Sequence, residues 1–116
     1  MQESNWQPRG GGRFLEACLL CVLQEESTHG YALLDHLERF ELVETHIDIS
    51  VLYRTLRAME KATLVTSHWS ESDLGPRKRI YSITEAGRSA LGLWIEVLKS
   101  RKRLIEQIIQ QYEKGR

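Results

Sequence analysis

The apolar residues of this 116-residue chain change their spacing twice, and those changes limit the order of elements it can adopt. From Tyr31 to Phe40, and again from Ile49 to Thr63, they recur at intervals of three and four, as on one side of a helix. Val65, Ser67 and Trp69 then alternate with Thr66 and His68, as along a strand, and from Thr84 the helical interval returns. A second short strand is readable in Arg79-Ile80-Tyr81-Ser82-Ile83, and the link between the strands, from Ser70 to Lys78, is rich in turn-forming residues and ends in a basic cluster. The expected fold is mainly α with a small β-hairpin (α+β): a winged helix-turn-helix followed by a long C-terminal dimerisation helix.

The helical part divides further. Arg13 to Leu23 is apolar on nearly all sides, which predicts a central buried helix, because a surface helix carries a single apolar stripe. Cys18 and Cys21 share a face of it. A zinc site would need further ligands and no matching cluster of Cys or His follows, so both are read as buried thiols. Glu25 to Gly30 reads as a polar connection, and Tyr31 to Phe40 as a second helix with Leu33, Leu34, Leu37 and Phe40 at helical spacing. In a third helix, starting near Ser50, Ile49, Leu52, Leu56, Met59 and Thr63 fall on one side, and Ser50, Arg54, Arg57 and Lys61 on the other. Residues 1–12, with Pro8 and Gly10-Gly11-Gly12, read as a flexible arm, residues 13–83 as the winged helix-turn-helix and residues 84–116 as the C-terminal helix.

Thr84 is a good N-cap and Glu85 suits the positive end of a helix dipole. Beyond them Leu91, Trp94, Ile95, Leu98, Leu104, Ile105, Ile108, Ile109 and Tyr112 recur near a heptad interval, broken by the polar run Ser100-Arg101-Lys102-Arg103. About 30 residues of helix would extend roughly 45 Å, further than a domain of this size can cover, so a second copy of the chain is the expected cover. The arginine and lysine run reads as a solvated face or as contacts between helices. Trp94 is expected to serve that interface as a large anchor. Two copies about a twofold axis would also bring two indoles together as a slot for a flat aromatic molecule.

Sixteen basic and sixteen acidic side chains give no net charge, so attraction to a polyanion has to come from local clustering. No apolar run reaches the roughly 20 residues of a membrane span, and the start, Met1-Gln2-Glu3-Ser4, lacks the pattern of a signal peptide, so a cytoplasmic location is expected. His29, His36, His46 and His68 are scattered and lack the spacing of a metal helix. No nucleophile elbow, catalytic triad or phosphate-binding glycine turn is present. The chain is therefore expected not to be an enzyme and to need no metal or cofactor.

Three strings, His29-Gly30-Tyr31, Ser50-Val51-Leu52-Tyr53-Arg54-Thr55-Leu56 and Arg79-Ile80-Tyr81-Ser82-Ile83-Thr84-Glu85-Ala86-Gly87, resemble the PadR family of bacterial repressors in order and spacing. The chain departs from that pattern at Arg54, where relatives commonly carry proline, at the wing tip Leu74-Gly75-Pro76-Arg77-Lys78, and at Ile80, where a tyrosine is usual. The single C-terminal helix resembles the short subfamily. That resemblance implies dimerisation through the helix and an aromatic or drug-like effector held between subunits.

The expected partner is double-stranded operator DNA, with an inverted repeat met by a homodimer. Ser50, Tyr53, Arg54, Arg57 and Lys61 supply the hydrogen-bonding and cationic face that a helix needs in the major groove, although the same pattern suits an ordinary solvated helix face. Arg77, Lys78 and Arg79 suit backbone phosphates, or equally a turn kept soluble by charge. Leu91, Trp94, Ile95, Leu98, Ile105, Ile108, Ile109 and Tyr112 are the expected dimer and effector surface. The rival reading is a winged-helix scaffolding module that binds protein and not DNA.

Overall fold

The computed structural model describes residues 14–40, 48–71 and 75–115. The N-terminal arm expected over residues 1–12, His46 and the wing-tip residue Leu74 lie outside them. The elements in order are α1 (Leu15–Glu25), β1 (Thr28–His29), α2 (Gly30–Leu37), α3 (Ile49–Lys61), β2 (Val65–Trp69), β3 (Arg79–Ile83) and α4 (Glu85–Lys114).

Helix α1 is the centre of the core: it touches α2, α3, α4 and β3, and Ala17, Cys18, Leu19, Leu20 and Leu23 are buried on it. Its near-continuous apolar composition follows from having neighbours on so many sides. The two thiols sit differently, with Cys18 buried and Cys21 half-buried. Burial, with a smaller contribution from Cys21, pushes the Cys18 thiol up to about 11, and burial followed by the nearby Glu25 carboxylate also raises that of Cys21. Both are thereby poor nucleophiles near neutral pH.

The sheet has three antiparallel strands in the order β1-β3-β2. The wing pair runs from Val65↔Ile83 to Trp69↔Arg79, and β1 adds Thr28↔Tyr81 and His29↔Ile80 on the other edge of β3. The stretch from Glu25 to Gly30, expected as a connection only, thus contributes an edge strand. Two residues are too few for an alternating pattern to be legible. Helix α2 also differs from expectation: it ends at Leu37, and Phe40 lies exposed beyond it.

Two devices turn the chain from α3 into the wing and from the wing into α4. Past the end of α3 the Thr63 amide donates to the Glu60 carbonyl and the Leu64 amide to the Met59 carbonyl. Thr63 itself takes φ 64°, a helix-stopping αL turn that is strained for a β-branched residue. The Thr84 hydroxyl then accepts from the Gly87 amide and donates to the Thr63 carbonyl, capping α4 and tying it to the end of α3. Gly87 cannot carry a side chain there, because a Cβ would run into the Leu64 carbonyl oxygen. Among the described residues no helix is long and apolar enough to cross a membrane.

Candidate nucleic-acid interface

Helices α2 and α3 are set against one another by capping and by one close approach. The His29 imidazole Nδ1 accepts from the Ala32 amide at the start of α2, and the Asp48 carboxylate accepts from the Ser50 amide at the start of α3. Gly30, the first residue of α2, lies against the Tyr53 ring, and a Cβ at that position would meet the phenol. Tyr53 is therefore half-buried between the helices and holds α3 at its distance from α2.

Helix α3 buries Leu52, Leu56 and Met59 and leaves Ser50, Arg54, Arg57 and Lys61 exposed. Across from it stands the wing, whose neck is closed by the Ser70 amide donating to the Lys78 carbonyl and the Lys78 amide donating to the Ser70 hydroxyl. Between the two runs an open groove of about 860 Å³. It is lined by Tyr53 and Arg57 from α3, Arg77, Lys78 and Arg79 from the wing, and Tyr31 and Trp69 beside them. Five of the eight residues expected to meet DNA are thus gathered along one groove. Ser50, Arg54 and Lys61 are exposed on α3 but do not line it.

Arg79 differs from its two neighbours. Its Nε donates to the Ser67 hydroxyl at 2.9 Å, that hydroxyl donates to a Glu60 carboxylate oxygen at 2.7 Å, and the guanidinium lies 3.9 Å from the same oxygen. It also sits 5.2 Å from the Trp69 ring centroid. A residue expected as a phosphate contact is therefore engaged within the protein, while Arg77 and Lys78 are exposed. Below this group the Tyr81 phenol is pushed up from its ordinary value by burial, an effect that Arg79 opposes and Glu60 reinforces. No sequence pattern singles out Ser67, Trp69 or Tyr31 as site residues. Glu60 carries a signal only as an acid on an otherwise basic helix face.

The expected assembly surface splits in two. Leu91 and Trp94 are buried in the chain's own core, Ile95 and Leu98 are half-buried against it, and Leu104, Ile105, Ile108, Ile109 and Tyr112 are exposed. The Trp94 indole donates to the Glu16 carboxylate at 2.7 Å and meets Phe14 edge to face, with ring centroids 5.9 Å apart. An indole facing a symmetry mate is not what this packing produces, because α1 of the same chain already covers it. Among the described residues no group of three or more His, Cys, Asp or Glu side chains is placed to hold a metal.

Comparison with known proteins places this geometry. The model of the transcriptional regulator PadR-like family matches residues 19–93. A Mycobacterium tuberculosis protein described as a probable transcriptional regulator is 35% identical along an alignment 89 positions long that covers 70% of this chain and 43% of that protein, so the chain spans less than half of that relative's length. A PadR-like transcriptional regulator of Bacillus cereus has a similar structure, with a TM-score of 0.72 and 26% identity, covering 84% of this chain and 92% of the other. Bacillus subtilis PadR, solved in complex with operator DNA, shares the fold at a TM-score of 0.60 and 19% identity, over 70% of this chain and 46% of its own.

Proposed function

Because this chain belongs to the PadR-like family of transcriptional regulators, which are not enzymes, we propose that it acts as a homodimeric repressor that reads an inverted-repeat operator. Residues 13–83 would form the reading head and residues 84–116 the assembly element. The observation that carries this reading is the groove between α3 and the wing, with Tyr53 and Arg57 on one wall and Arg77 and Lys78 on the other. A helix whose outward side is polar and cationic can enter the major groove while a cationic hairpin follows the adjacent backbone. That a protein of the same fold has been solved with operator DNA supports it. With no net charge on the whole chain, the local clusters have to supply the attraction.

In the proposed dimer the exposed stripe from Leu104 to Tyr112 pairs with its copy, which spaces two reading heads about one helical turn of DNA apart or a multiple of it. An effector would release DNA by preferring a dimer spacing that fits the operator poorly. Trp94, turned into the core, is not the platform for it, so an aromatic effector would have to enter elsewhere between the subunits.

The test is binding to the DNA upstream of the protein's own gene across a salt series. Arg57→Ala is expected to cost about 1–3 kcal/mol of specific binding with the fold intact. The double change Arg77→Ala, Lys78→Ala is expected to weaken all duplexes alike and to shrink the slope of log affinity against log salt by about one per lost phosphate contact. A wild-type protein that prefers no duplex over any other would return the chain to the rival reading, a protein-interaction module.

A further inference from the structure

Resting on the DNA-binding reading above, we propose that Glu60, Ser67 and Arg79 form a clamp that sets the angle between α3 and the wing, so that Arg79 acts as a positioning residue and not as a phosphate contact. The three side chains come from three elements: α3, β2 and β3. They close a ring in which the Arg79 Nε donates to Ser67, Ser67 donates to Glu60, and the guanidinium faces the same Glu60 oxygen. A lone exposed ion pair would contribute little, since holding two long side chains in one geometry costs about what the attraction supplies. Here the shared hydroxyl fixes the direction of both charged groups, and the Trp69 ring gives the guanidinium a second support 5.2 Å away. Arg79 and Trp69 are also the last pair of the wing ladder before the tip. Whatever orients that pair orients the hairpin that carries Arg77 and Lys78.

Glu60 separates the clamp from a simple charge effect. A carboxylate in a groove lined by Arg57, Arg77 and Lys78 opposes the approach of a polyanion, so by charge alone its removal would tighten DNA binding. The clamp requires the reverse sign. If Glu60 holds the wing, losing it frees the hairpin, and each binding event then has to order it again.

The experiment compares Glu60→Ala, Arg79→Lys and their combination with the wild type. The probes are a duplex selected by the wild-type protein from a randomised pool and an unrelated duplex of the same length. Thermal melts establish that the variants are folded, and neither position belongs to the buried core. The clamp predicts that each single variant binds the selected duplex roughly three- to ten-fold more weakly and discriminates less between the duplexes. It also predicts that the double variant is no worse than either single one, as expected for groups acting as a unit. Tighter binding by Glu60→Ala together with near-wild-type binding by Arg79→Lys would overturn it and return Arg79 to the phosphate backbone. A second readout needs no DNA: the Trp69 indole N–H resonance, assigned through Trp69→Phe, should shift in both single variants of the free protein. If the wild type selects no duplex, the repressor reading fails by itself. The clamp then stands or falls on whether that resonance moves.

Discussion

The two halves of α4 carry the same kind of apolar stripe and meet opposite fates. Leu91 and Trp94 are 6% and 2% exposed, packed beneath α1. Further along the helix Ile105 and Ile108 are 54% and 59% exposed, and the whole segment from Lys99 to Gly115 stands clear of the core. The polar run Ser100-Arg101-Lys102-Arg103 marks where one changes into the other. A near-heptad repeat therefore states that a face will be covered, and leaves open whether the cover is the chain's own first helix or another molecule.

Trp94→Ala is the most severe way to probe the covered half. It opens a cavity beside Phe14 and deprives the Glu16 carboxylate of its donor, and should cost about 3–5 kcal/mol in urea unfolding. A loss below about 1 kcal/mol would contradict the packing described. The exposed half calls for the opposite test, in which charge and not volume is changed. Ile105→Asp with Ile108→Asp should leave the fold of each chain intact and raise the dissociation constant of the proposed dimer by about a hundredfold or more, read by sedimentation. A double variant that sediments as the wild type would place the interface elsewhere.

Smaller changes refine the contrast. Trp94→Phe keeps most of the ring volume and removes the N–H, so unfolding should register about 1–2 kcal/mol, assignable to the bond with Glu16. Glu16→Gln added to the Trp94→Phe variant should then have almost no further effect, since the donor it served is gone. Leu93 is the mildest probe, 50% exposed on the buried half of the helix. Leu93→Ser should change chain stability by less than about 0.5 kcal/mol, and a clear fall in dimer affinity would show that the interface reaches back past Leu98.

Much of the architecture is legible from residue spacing. The switch from helical spacing to alternation locates β2 and β3, the face of Leu52, Leu56 and Met59 orients α3, and Thr84 marks the start of α4, as its bond from the Gly87 amide bears out. Each of these is a local rule, in which neighbours along the chain are neighbours in space. The groove is legible as a list of cations but not as a place. Arg77, Lys78 and Arg79 are consecutive and alike, yet two are exposed and the third is held by Glu60 and Ser67 from other elements.

Periodicity, caps and the identity of the polar faces therefore belong to the sequence. Contacts between elements decide the rest: that Thr28–His29 pairs as an edge strand with β3, that Gly30 and Gly87 are bare because Tyr53 and the Leu64 carbonyl press on them, and that Trp94 turns inward to Glu16. The physical reason is common to all of them. Each outcome rests on a contact between residues far apart in the chain, 78 positions for Glu16 and Trp94, and a pattern of local spacing holds no information about which distant group arrives to fill a face.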